Sequence, residues 1–163
     1  MKNHIIISLL ILSVGLSQQL IPQITETYKN GNIKSITYHK KTRDGIQKVK
    51  EEGYHVKGYK NFEGTYKGVD YRGRPKKDGL WTEWWSKGQK SSEETYKDGK
   101  RDGLSTVWYP NGQKETEETY KDGNYNGRTD WWENGQKKFE ITYKDDELIS
   151  EEKRWNKDGS VRE

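Results

Sequence analysis

The sequence predicts an all-β chain: an elongated antiparallel meander of successive β-hairpins, one per repeat of about 24 residues, following a cleaved N-terminal signal peptide. Three observations lead there. Turn glycines recur at Gly88, Gly112, Gly135 and Gly159, spaced 24, 23 and 24 apart. A tryptophan stands four residues before each of them, at Trp84, Trp108, Trp131 and Trp155. No stretch after the leader holds apolar residues at i, i+3, i+4 and i+7, the spacing a helix needs.

Lys2 gives a positive start, and Ile5 to Leu16 is mostly apolar. Gly15-Leu16-Ser17 then offers small residues for cleavage near Ser17. The apolar run is short of the roughly 20 residues a membrane span requires. Export to the periplasm or beyond the cell is therefore the expected localisation, with residues 1–17 removed.

Composition bounds the remainder. Of the 146 residues after Ser17, 36 are apolar, and 20 of those are Trp, Tyr or Phe; Ala is absent. So few aliphatic side chains cannot build the thick core of a doubly wound α/β enzyme. The aromatics can supply burial instead, at roughly 150–250 Å² each. The net charge is +4, with the two signs closely interleaved, as in Lys97-Asp98-Gly99-Lys100-Arg101-Asp102. A nucleic-acid partner is not expected from such a dispersed balance, and no basic amphipathic segment marks a membrane surface. Without Cys there is neither a disulfide nor a thiolate ligand.

Organisation follows from the repeat. Residues 79–163 form the regular units, and 18–78 hold weaker, degenerate ones. In the regular units Tyr96, Tyr120 and Tyr143 stand eight residues after the turn glycine. Trp85, Tyr109 and Trp132 stand three before it. Asn30-Gly31-Asn32 resembles the Asn111-Gly112-Gln113 turn, and Gly45 follows Tyr38 as Gly103 follows Tyr96. Between Ile46 and Asp78 the phase blurs, with an insertion expected around Val56 to Pro75.

Each unit reads as two short strands. Pro110-Asn111-Gly112 and Glu133-Asn134-Gly135 are tight-turn sequences, since Asn and Gly tolerate positive φ. Lys97-Asp98-Gly99 and Lys121-Asp122-Gly123 mark the other end, and the Asp-Gly pairs at 78–79 and 102–103 read as turns too. The segments between are rich in strand-favouring Trp, Tyr, Thr and Val. Alternation then puts the Trp84/Trp108/Trp131/Trp155 column on one face, and this column with Tyr96, Tyr120 and Tyr143 is the expected repeat core. Trp85, Tyr109 and Trp132 fall on the other face as the candidate interaction surface. Glu93, Glu117 and Glu140 share a face with Lys97, Lys121 and Lys144, an expected cross-strand ion-pair surface.

These units, with Gly103-Leu104 through Trp108-Tyr109-Pro110-Asn111-Gly112-Gln113-Lys114 to Tyr120-Lys121-Asp122-Gly123 as the clearest, resemble the MORN-repeat family (membrane occupation and recognition nexus) in its bacterial variant. The resemblance implies an elongated hairpin sheet, generally without catalysis. It brings no catalytic residue to transfer.

His39 and His55, the histidines left after the leader, stand sixteen apart without a ligand pattern. Glu93-Glu94, Glu117-Glu118 and Glu151-Glu152 are adjacent in strands, so each pair points to opposite faces and cannot flank one bond. No enzyme, cofactor or metal is expected. The leading expectation is an exported, non-catalytic scaffold that binds another protein. The alternatives are a cell-wall polysaccharide or glycan module using exposed Trp and Tyr, and an antitoxin or immunity-type protein.

Overall fold

The computed structural model describes residues 19–144 and 147–162; the leader and its cleavage point lie outside them. Fourteen strands follow in order: β1 (Ile21–Thr27), β2 (Ile33–Thr42), β3 (Gly45–Tyr54), β4 (Lys60–Val69), β5 (Pro75–Lys77), β6 (Gly79–Trp84) and β7 (Lys90–Lys97). Then come β8 (Lys100–Trp108), β9 (Lys114–Lys121), β10 (Asn124–Trp131), β11 (Lys137–Lys144), β12 (Glu147–Leu148), β13 (Lys153–Trp155) and β14 (Val161–Arg162). Twelve of them lie side by side in chain order, every pair antiparallel, while β5 pairs with β4 and β12 with β11. The meander of hairpins is the architecture the repeat predicts.

The turns form two rows, one along each edge of the sheet. On the first edge Gly31, Gly58, Gly88, Gly112, Gly135 and Gly159 all adopt φ between +83° and +89°. That left-handed conformation costs other residues energy and glycine almost nothing, so the turn glycines are fixed by backbone geometry. On the second edge Asp98-Gly99 and Asp122-Gly123 both have positive φ, at 49°/88° and 52°/92°, the two-residue turn that matches strand twist.

The N-terminal third is more regular than its sequence. His55 to Tyr59 makes a first-edge turn between β3 and β4, with His55 N–H on the Tyr59 carbonyl at 2.8 Å. The insertion begins later than the Val56 to Pro75 reading places it. The far end of β4 and β5 extend past the sheet as an arm, Tyr66 opposite Lys77 and Val69 opposite Pro75, closed by a turn over Asp70–Arg74. Gly45 closes the Thr42–Gly45 turn, whereas Gly103 lies inside β8, so the two are not equivalent. The Asp-Gly pairs at 78–79 and 102–103 likewise lie at a strand start and within a strand.

Because the sheet is one layer thick, burial is confined to the mid-strand line. Trp81, 8% exposed, is the buried hydrophobic side chain among the described residues; the other buried side chains are polar, including Ser35, Thr37, Glu52, Thr82, Ser105 and Thr106. The expected core is corrected here. Trp84, Trp108, Trp131 and Trp155 share one face, as parity requires, but sit at strand ends and are half-buried. Among the described residues no second sheet lies over them. Tyr96, Tyr120 and Tyr143 are also half-buried, and they occupy the opposite face.

Two strand glycines make the tightest packing. A Cβ on Gly64 would lie 2.1 Å from the Trp81 indole, and one on Gly53 would lie 2.1 Å from the Phe62 ring. In both cases an aromatic ring on the next strand lies flat over bare backbone. These glycines serve packing, not turns.

Candidate functional site

Two repeating arrays, one cluster and a network on the opposite face hold the side chains available for function. The first array runs along the first edge. Tyr28, His55, Trp85, Tyr109, Trp132 and Asn156 each occupy the position three before the turn glycine, and each carbonyl accepts the N–H of that glycine. From there four of these side chains reach the next hairpin. Tyr28 Oη donates to the Tyr54 carbonyl at 2.8 Å, Tyr109 Oη to Trp131 at 3.0 Å and Trp132 Nε1 to Trp155 at 3.2 Å, while His55 Nε2 meets the Trp84 carbonyl at 2.9 Å.

The predicted interaction row therefore divides. Tyr109 and Trp132 are half-buried struts, and Trp132 is also flanked by Lys138 and Lys157, with Nζ 4.7 and 5.4 Å from the ring centroid. Trp85 is 40% exposed and makes no such bond among the described residues. Tyr28 and His55 belong to the row and were missed. The signal was present, since each stands three before its glycine, Gly31 or Gly58, as Trp85 does before Gly88.

The second array covers one face. Lys60 lies over Trp84, Lys90 over Trp108, Lys114 over Trp131 and Lys137 over Trp155, with Nζ 5.4–5.8 Å from the ring centroid. Each lysine also pairs with the glutamate three residues on: Glu63, Glu93, Glu117 and Glu140. A register shift makes this possible. Thr106 opposes Glu117 while Trp108, two residues on, opposes Lys114, three residues back. The extra residue brings Lys114 and Glu117 onto one face. The expected pairing of Glu93 and Glu117 with Lys97 and Lys121 is corrected accordingly, Lys121 pairing with Asp102 at 3.3 Å instead, while the Lys144 side chain lies outside the described residues.

The array starts from a cluster on the same face. Tyr38 and Tyr54 both donate to one carboxylate oxygen of Glu52, at 2.9 and 2.7 Å. Lys50 pairs with Glu52 at 2.7 Å, and Lys60 lies 3.6 Å from it. Burial alone would raise the Glu52 pKa, but the bonds from Lys50, Tyr54 and Tyr38 hold it down at about 2. Burial, and then donation to this carboxylate, pushes both tyrosines up.

The opposite face has its own network. Tyr96 donates to Glu94 at 2.5 Å, Arg101 bonds Glu94 and the Tyr120 hydroxyl, and Tyr120 donates to Glu118 at 2.9 Å. The rings of Tyr120, Tyr125 and Tyr143 follow at centroid spacings of 5.7 and 5.6 Å. Glu93 and Glu94 thus serve opposite faces, as do Glu117 and Glu118.

Chemically, these arrays present aromatic, cationic and anionic groups at a fixed period, about 10 Å for two strands. They do not converge on a point where a bond could be attacked. Among the described residues no three His, Asp or Glu gather as a metal-binding group. Three stretches, residues 77–98, 101–122 and 128–145, match the family model described as a MORN repeat variant. No curated protein and no solved structure matches the chain.

Proposed function

Because residues 77–145 hold three such units, the chain belongs to the MORN-repeat family, and we propose that it is an exported, non-catalytic scaffold that binds another protein across its open sheet. The observation that supports this reading is the single layer itself. Both faces are furnished with half-exposed aromatics and ordered charges, and no second layer covers either among the described residues. Tyr, Trp and Arg are the residues that anchor protein interfaces, because each buries much area while keeping a polar handle. Trp85, exposed and with no hydrogen bond to its indole among the described residues, is the anchor this reading selects.

The test is retention from envelope extract on the immobilised full chain. One protein held in stoichiometric amount, and lost when Trp85→Ala replaces the wild type, is the expected result. Recovery of wall polysaccharide without protein would overturn it. That outcome is the second reading, favoured by the free indole of Trp85, which is able to stack on a sugar ring. It predicts a tryptophan fluorescence shift on titration with the polysaccharide, absent in Trp85→Ala.

A further inference from the structure

The interleaving of charge along the chain conceals a polarity. Residues 18–102 contain 19 Lys or Arg against 12 Asp or Glu, a net of +7, and residues 103–163 contain 10 against 14, a net of −4. Each half has a protrusion on the second edge that concentrates its sign.

The basic protrusion is the β4–β5 arm. Residues 66–77 hold five Lys or Arg against one Asp, a net of +4, equal to that of the whole chain. Its tip is built. Asp70 accepts from the Arg72 and Arg74 N–H groups at 2.8 and 2.9 Å and pairs with the Arg74 guanidinium at 2.7 Å. This leaves Arg72 stacked 5.1 Å from the ring centroid of Tyr71, which is 86% exposed, with Val69 exposed beside them. Arg72 and Lys67 have no ion pair among the described residues. An exposed Tyr, Arg and Val together make an interface patch, where a merely solvated turn would show none of the apolar area.

The acidic protrusion is residues 147–152, Glu-Leu-Ile-Ser-Glu-Glu, with three negative charges and no positive one. It is held in place by β12 pairing with β11, by Ile149 N–H on the Thr142 carbonyl at 3.1 Å, and by Thr142 N–H on Ser150 Oγ at 2.9 Å. Leu148 and Ile149 are 56% and 59% exposed, against the side-chain preference of both residues, and Glu147 and Glu151 are exposed with them.

The two patches complement each other in sign and in apolar content. They cannot meet within one chain, because six ladder steps separate β4 from β11, roughly 30 Å. We propose that the chain self-associates through them, the β4–β5 arm of one copy docking on the Glu147–Glu152 segment of a second. Both lie on the same edge, so two copies facing each other across that edge can make both contacts. This goes beyond scaffolding for another protein and does not depend on it.

Sedimentation of the full chain across a range of concentrations tests it. At low ionic strength, where screening acts over roughly 30 Å, mass should rise with concentration; near 1 M salt, where it acts over roughly 3 Å, the chain should be monomeric. Arg72→Glu with Lys67→Glu should weaken association by about tenfold or more, as should Glu147→Lys with Glu151→Lys. All four substitutions in one chain should restore it. These residues are exposed, and an unchanged tryptophan emission spectrum verifies that each variant is folded. A monomer at every concentration, or association that neither reversal weakens, overturns the proposal. So does failure of the fourfold variant to recover.

Discussion

The N-terminal strands β2–β6 and the regular units from β6 to β11 are the same kind of sheet, stabilised in two ways. In the first region stability is concentrated. Phe62 lies on Gly53, Trp81 lies on Gly64, and one carboxylate, Glu52, collects two tyrosines and a lysine. In the second it is distributed, with each hairpin adding a similar half-exposed Trp, Lys and Glu. A one-layer sheet has no interior to share, so it either builds local clefts or repeats a modest contact many times. Substitutions should therefore cost much in the first region and little in the second.

The largest effect is expected at Trp81. Removing a buried indole costs about 3–5 kcal/mol, and Trp81 also loses its Nε1 bond to the Thr65 carbonyl at 3.1 Å and its edge contact with Tyr66. Gly64→Ala should cost about 1–3 kcal/mol from the other side of the same contact, since the new methyl meets the indole. Urea unfolding measures both. Equal, small losses at the two positions would show that the cleft contributes no more than an ordinary repeat.

Glu52→Gln comes next, at about 1–3 kcal/mol, because an amide cannot satisfy two hydroxyls and a lysine at once. The pH dependence carries the sign. The Glu52 carboxyl is held at about 2, below its ordinary 4.5. Its contribution is thus complete above about pH 4.5 and is lost as pH falls toward 2. The wild type should lose stability across that window more steeply than Glu52→Gln, and parallel curves would remove the assignment.

The regular region was legible in the sequence because its contacts repeat. Trp columns, turn glycines and Asp-Gly pairs recur at one period, and parity assigns their faces. What parity alone does not give is the depth of burial or the one-residue shift beside each Trp. The first made half-buried tryptophans read as a core, and the second moved Lys114 from a neighbouring position onto the face of Glu117. The N-terminal clefts were illegible for a different reason. Gly53 and Gly64 look like further turn glycines, and only the register shows each opposite a ring on the adjacent strand.

Trp108→Ala sharpens the comparison from the distributed side. Half-burial of an indole is worth about 2 kcal/mol at roughly 25 cal/mol per Å². The loss should fall clearly below that at Trp81, and Trp131→Ala should match it, since both occupy the same repeat position under a lysine. Unequal losses would mean that the repeats are not energetically equivalent.

The smallest effect isolates what the lysine adds. Lys114 lies 5.4 Å from the Trp131 ring centroid and pairs with Glu117. Lys114→Met keeps most of the apolar stem over the indole and removes the charge. An exposed cation–π contact contributes about 0.5–1 kcal/mol, and an exposed ion pair a few tenths of a kcal/mol to about 1 kcal/mol. The loss should therefore be about 1 kcal/mol at low salt and shrink near 1 M, where screening acts within roughly 3 Å. Lys114→Arg should lose less at both. A loss identical at the two salt concentrations would assign the contact to stem packing. The Trp–Lys–Glu array would then be apolar cover for the indoles, with the charges left solvated and available to a partner.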